Sequence, residues 1–170
     1  MKQIYKMPSL TPNKYCFDSS AFIDSWGRYY PPAIFPTLWD NLVELIDQKK
    51  LIVAKEAEKE LIAGNDDLTA WFKKHSLCVI PYNTEQLQIA SEIVNKYPKV
   101  SQYHRVKPNH ADPFVVALAK LENAIVVTWE GPNGSSLNPA IPDLCREHKI
   151  EYINMIGLFT KESWSFGNIR

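Results

Sequence analysis

The chain has 170 residues, 45% of them hydrophobic and 22% charged, which fits one folded domain spanning 1–170 and excludes a disordered chain. Nineteen Lys and Arg balance nineteen Asp and Glu, so no global positive field marks a nucleic-acid binder, and any such surface has to be a local patch. Cys16, Cys78 and Cys145 are too far apart for a CxxC site and read as free thiols of a reducing compartment. The first residues carry lysines and prolines rather than a signal-peptide core, and no apolar run reaches the ~18–20 residues that cross a bilayer. The expectation is a soluble, cytoplasmic protein with no membrane association.

In chain order, residues 15–17 (Tyr-Cys-Phe) form a short apolar run that ends at Asp18, and Ser19-Ser20 are good helix starters. A helix is expected over 20–26, broken by Gly27 and Pro31-Pro32. Phe35, Leu38, Trp39, Leu42, Leu45 and Ile46 recur at helical spacing, predicting an amphipathic helix that ends near Lys49-Lys50. A buried strand at 51–53 and a helix over 55–63, stopped by Gly64, follow. Asp66-Asp67 starts another helix to Lys74, then come a strand at 78–80 and a helix over 84–97 closed by Pro98. After a loop, a helix over 112–122 has Pro113 in its first turn, where proline is tolerated. Residues 124–128 (Ala-Ile-Val-Val-Thr) are the clearest buried strand. A Gly- and Pro-containing loop over 131–139, a helix over 142–147, a strand at 152–154 and a last short helix complete the chain. Strands separated by helices imply a parallel sheet covered on both faces, and such folds collect ligands at the carboxyl ends of their strands.

Four acids fall near those ends. Asp18 follows the first strand, Glu130 lies two residues past Thr128, Asp112 opens a helix, and Glu60 lies on the helix after the second strand. All-oxygen ligands suit hard cations such as Mg²⁺ or Mn²⁺, which activate water and neutralise charge on a phosphodiester. No thiol or imidazole cluster competes, since His75, His104, His110 and His148 have no metal-site spacing. Each acid also has a bland reading: Asp18 and Asp112 as helix caps, Glu60 as a solvated face beside Glu56 and Glu58, Glu130 as a loop charge.

These residues also carry a resemblance. Phe17-Asp18-Ser19-Ser20-Ala21-Phe22-Ile23 resembles the opening motif of PIN-domain nucleases, an apolar strand, an acid, Ser or Thr, and an apolar helix. The stretch from Lys55 to Glu60-Leu61 is similar to the second motif, and Ala111-Asp112-Pro113-Phe114-Val115-Val116-Ala117-Leu118-Ala119 to the third. Val126-Val127-Thr128-Trp129-Glu130 resembles the fourth, a strand ending in Thr with an acid two residues on. All four stand in family order across most of the chain. The best match is a PIN-like subfamily allied to the VapC ribonuclease toxins of toxin–antitoxin pairs, with the tail at 141–145 and 164–166 also similar. The resemblance implies a three-layer α/β/α sandwich around a mainly parallel sheet, and a Mg²⁺- or Mn²⁺-dependent endoribonuclease acting on RNA. It implies Asp18, Glu60, Asp112 and Glu130 as metal-binding and catalytic residues, and a cognate antitoxin protein as partner. A homodimer is left open. Glu130 departs from the Asp usual at the fourth position.

Supporting roles fall to Ser20 and Thr128, whose hydroxyls could orient a carboxylate, and to Glu56, one turn before Glu60. Their bland readings are a helix cap, a β-branched strand residue and a surface charge. Between Glu92 and Asp112 there is no acid, while Lys96, Lys99, Arg105 and Lys107 interleave with Tyr97, Tyr103, His104 and His110. Cations with rings suit single-stranded RNA, and Lys99, Arg105, Lys107 and His110 are the expected RNA contacts; a solvated loop is the alternative. Trp39, Trp71, Phe35 and Phe72 read as core or as a partner-facing groove. Two other functions stay open: a catalytically inactive PIN-fold binding or regulatory protein, and a metal-dependent phosphatase. A haloacid-dehalogenase-type phosphatase also starts from a strand-end Asp, but needs a second Asp where Ser20 stands.

Overall fold

The computed structural model describes residues 13–64, 66–98 and 111–166. Five parallel strands form one sheet in the order β3-β2-β1-β4-β5. They are β1 (Tyr15–Phe17), β2 (Leu51–Ala54), β3 (Val79–Ile80), β4 (Ile125–Val127) and β5 (Tyr152–Ile153). The helices are α1 (Ser19–Asp24), α2 (Pro36–Asp47), α3 (Lys55–Ile62), α4 (Asp67–Lys74), α5 (Thr84–Lys96), α6 (Asp112–Leu121), α7 (Ile141–Glu147) and α8 (Met155–Lys161). This is the three-layer α/β/α sandwich expected. Side chains alternate across a strand, and all three residues of β1 are fully buried, so the central strand is covered on both faces. On one face the Cys16 thiol donates to the Val115 carbonyl of α6 at 3.6 Å. On the other, Phe17 packs on Phe22 of α1 at 5.1 Å between centroids, and the Tyr15 hydroxyl donates to Glu162 at 2.5 Å. The register sets Phe17 level with both Val53 and Val127, so β1, β2 and β4 end at one edge.

Three helices that return the chain to a strand end alike. Lys49, Asn123 and Lys149 adopt φ of 57°, 49° and 58°, just past α2, α6 and α7. The next N–H bonds back across six residues each time: Lys50 to Leu45, Ala124 to Ala119, Ile150 to Cys145, all at 2.8–2.9 Å. These are left-handed helix stops of a kind glycine usually fills. No glycine stands there to announce them.

The strands expected at 124–128 and 152–154 are shorter, at Ile125–Val127 and Tyr152–Ile153, and two further differences have a visible cause. The first helix does not break at Gly27; α1 runs on into a π-helical turn, Ser25–Tyr29, and the chain turns only at the prolines. Buried Ser25, and Trp26 packed on Trp39 at 4.6 Å, hold that turn together. The expected strand at 78–80 is shorter, because Cys78 ends a 3-10 turn and pairing begins only where Val79 meets Val53. Trp39 and Phe72 are core residues, with Phe35 and Trp71 packed against the core. The three cysteines are free and buried; burial pushes Cys78 and Cys145 up to about 12, so their thiols stay protonated. None of the described helices is long and apolar enough to cross a membrane.

Candidate active site

The strand ends β1 and β4 are joined through side-chain hydroxyls. Asp18 leaves β1 with its N–H on the Val127 carbonyl at 3.0 Å, and its carboxylate caps α1, so the capping reading is correct as far as it goes. The same carboxylate, 3% exposed, does more. Its Oδ2 accepts from Ser20 Oγ at 2.5 Å, Ser20 N at 3.3 Å and Thr128 Oγ1 at 3.1 Å. Each hydroxyl accepts in turn: Ser20 Oγ from Trp129 N, and Thr128 Oγ1 from Glu130 N, both at 3.1 Å. One donor and one acceptor role per hydroxyl is used consistently, and the Asp18 carboxylate is held in one orientation.

Glu60 enters from α3. Its Oε2 accepts from Ser19 Oγ at 2.5 Å, while Oε1 is buried without a hydrogen-bond partner. Asp112 enters as the first residue of α6 and is 8% exposed. Glu130 Oε2 accepts from the Ile141 N–H at the start of α7, at 3.2 Å. The extra methylene that distinguishes Glu from Asp spans that distance. The intervening loop is gathered on one carboxylate: Asp143 Oδ2 accepts from the N–H groups of Asn133, Gly134 and Ala140 at 2.9–3.3 Å.

All four acids hold protons more tightly than usual. Burial is the first cause for each, and their mutual repulsion adds to it for Glu60, Asp112 and Glu130. Asp112, well above the ordinary range, is raised by Glu130, Asp18 and Glu60 in that order, which places the four in one electrostatic cluster. Glu130 is pushed up to about 7. Ser20 and Thr128 oppose the rise at Asp18 by stabilising its charged form. Among the described residues, no three acid, thiol or imidazole side chains enclose an ion-sized space as they stand. The cluster is a repelling set of carboxylates, not a closed cage.

Glu56 turns elsewhere, to Lys59 at 2.6 Å and to the Tyr82 hydroxyl. Lys99, Arg105, Lys107 and His110 lie outside the described residues. Lys96 and Tyr97, at the near end of that stretch, are both bonded to Glu147, at 2.7 and 2.5 Å. Ser19, by sequence a helix starter, has its hydroxyl between Glu60 and Asp18, 3.5 Å from Asp18 Oδ1. The Ser-Ser pair after a strand-end Asp was the available signal.

The chain folds as a parallel α/β/α sandwich whose strands β1, β2 and β4 end together, and Asp18, Glu60 and Glu130 all act on the charge of Asp112. The chain belongs to the family described as "Domain of unknown function (DUF4411)", whose model matches residues 15–166. No curated protein matches the sequence. Among solved structures it is similar to PAE2754 from Pyrobaculum aerophilum, at 17% identity and a TM-score of 0.44 over 89% of this chain and 97% of that one. It is also similar to VapBC2 from Rickettsia felis bound to a DNA fragment from their promoter, at 14%, 0.46, and 82% and 97% coverage. VapBC-1 from nontypeable Haemophilus influenzae gives 14%, 0.43, and 84% and 98%.

Proposed function

We propose that the chain, as one nuclease domain, is a Mg²⁺- or Mn²⁺-dependent endoribonuclease, the toxin of a toxin–antitoxin pair. The observation that carries the reading is the electrostatic cluster of buried Asp18 and Asp112 with half-buried Glu60 and Glu130, in which Oε1 of Glu60 is a buried atom without a hydrogen-bond partner. Four mutually repelling carboxylates, two of them buried, are stabilised by positive charge, and a hard dication that keeps several waters fits an open, all-oxygen set. Asp18, Glu60, Asp112 and Glu130 would hold it. When bound, it supplies a water of lowered pKa and neutralises charge on the phosphodiester under attack.

The chain's own residues prepare that chemistry. Ser20 and Thr128 hold Asp18 rigid, and Ser19 holds Glu60 beside it, so neither carboxylate has to be ordered when substrate arrives. Glu130 is tethered to Ile141, and in the metal-free chain burial and the neighbouring acids push it up to about 7, so a bound dication would displace that proton. The phosphatase reading has less support: the Asp18 carboxylate is occupied by hydroxyl donors, and Ser20 is one of them. The toxin role and the antitoxin partner rest on the sequence resemblance to VapC. Calorimetric titration with Mn²⁺, followed by cleavage of single-stranded RNA with and without the ion, tests the reading. Stoichiometric binding lost in Asp112→Asn, together with ion-dependent cleavage, is expected. Absence of Mn²⁺ binding overturns the metalloenzyme in favour of a non-catalytic binding protein.

A further inference from the structure

The turn after α1 is π-helical, closed by the Tyr30 N–H on the Ser25 carbonyl at 2.7 Å. Such wide turns are rare and recur at functional sites. Here the turn sets Tyr29 against the indole of Trp129, with ring centroids 4.5 Å apart and planes 36° apart. Trp129 sits between Thr128 and Glu130, and both of its N–H groups are tied. Its backbone donates to Ser20 Oγ at 3.1 Å, and its Nε1 to Ser25 Oγ at 3.0 Å. Tyr30 adds a second ring, 6.3 Å away with planes 28° apart. The indole is therefore fixed to the carboxylate network at one end and to the π-turn at the other. Tyr29, resting on it, is still 50% exposed.

We propose that Tyr29, backed by Trp129, is a stacking platform for one nucleobase of single-stranded RNA bound at the carboxylate cluster. The proposal rests on the nuclease reading above. A base is planar, neutral and comparable in width to the tyrosine ring, so it stacks beside four acids without adding to their repulsion. A cation for its phosphate is available on the same turn. Arg28 precedes Tyr29, is highly exposed, and among the described residues pairs with Asp24 at 3.5 Å. Every base offers a π-face, so the platform sets the register of the strand at the site rather than reading its sequence.

The test uses the full chain carrying Asp18→Asn, with Mn²⁺ and a short single-stranded oligouridine bearing one 2-aminopurine moved along the strand. Fluorescence quenching is expected at one register. Tyr29→Ala abolishes that quenching and weakens binding by about five- to thirtyfold, while Tyr29→Phe keeps both. An abasic nucleotide at that register weakens binding in the parent and adds nothing to Tyr29→Ala. Tyr29→Leu still packs on Trp129 but has no π-face, so it behaves as Tyr29→Ala. Quenching at no register, unchanged binding in Tyr29→Ala, or full binding in Tyr29→Leu overturns the platform. The nuclease reading is scored separately, by cleavage of the unmodified strand by the chain with Asp18 intact. A strand bound and stacked but never cleaved sinks the nuclease and leaves the platform.

Discussion

Ser19 Oγ stands 2.5 Å from Glu60 Oε2 and 3.5 Å from Asp18 Oδ1, so one hydroxyl lies between two carboxylates that come from different strand–helix units. Without it, Glu60 would lose its side-chain hydrogen-bond donor and keep the backbone of Ala111 alone to steady its charged form. Ser19→Ala is therefore expected to lower Mn²⁺ affinity by about ten- to a hundredfold, as loss of an orienting partner does at metal sites. Calorimetry checks the affinity. A melt checks that the fold survives, at a cost of about 1–3 kcal/mol for the stripped acceptor. Unchanged affinity would reduce Ser19 to a capping residue.

Asp18→Asn keeps the shape of the side chain and removes its charge. Cleavage of RNA should fall to background, while the melting temperature of the metal-free protein holds or rises, because repulsion on Asp112, Glu60 and Glu130 is relieved. Full Mn²⁺-dependent activity in this variant would move the site elsewhere.

The acids also set a pH dependence. Glu130 moves from 4.5 to about 7 on folding, so the folded chain binds its proton more tightly than the unfolded one. The stability linked to that proton is fully present below about 4.5 and is lost as pH rises through about 7. Asp18, Glu60 and Asp112, all raised, act in the same direction. Metal-free protein should melt at a lower temperature at about pH 8 than at about pH 5, and Mn²⁺ should restore the loss at the higher pH. A melting temperature that rises over this interval, without metal, would contradict the cluster's electrostatics.

The cation-rich stretch ahead of Asp112 carries a prediction from sequence alone. Lys99, Arg105 and Lys107 changed together to Ala should weaken single-stranded RNA binding and flatten its salt dependence by roughly two units, at about 0.7 per phosphate contact. Lys50 and Lys55 are weaker candidates for RNA contacts, since Lys50 pairs with Glu162 at 2.8 Å and Lys55 with Glu58. A salt series on the Asp18→Asn protein measures the slope, and an unchanged slope would remove this segment from the RNA path.

Gly157 of α8 is a packing prediction. A Cβ there would meet the Ile153 Cβ at 2.8 Å, with the branched side chain of β5 unable to retreat. Gly157→Ala should lower stability by about 1–3 kcal/mol in spite of alanine's better helix propensity. Denaturant unfolding checks this, and a stabilised variant would mean that β5 and α8 are less closely packed.

Much of the molecule could be read from local pattern. The apolar runs at β1, β2 and β4 and the 3.6-residue spacing in α2 defined a parallel α/β chain, because burial on both faces of a strand and on one face of a helix leaves a periodic trace in sequence. The order of the four acids was legible for the same reason, each standing next to such an element. What periodicity could not decide was distance across the chain. Glu56 and Glu60 share a helical face, yet only the pairing of β2 beside β1 turned Glu60 toward Ser19 and left Glu56 to Lys59 and Tyr82. The reach of Glu130 to Ile141, the stack of Tyr29 on Trp129 and the left-handed turns at Lys49, Asn123 and Lys149 depend likewise on neighbours brought in by sheet order and packing. Sequence specifies the faces that must be buried; sheet order and register decide which side chains then meet.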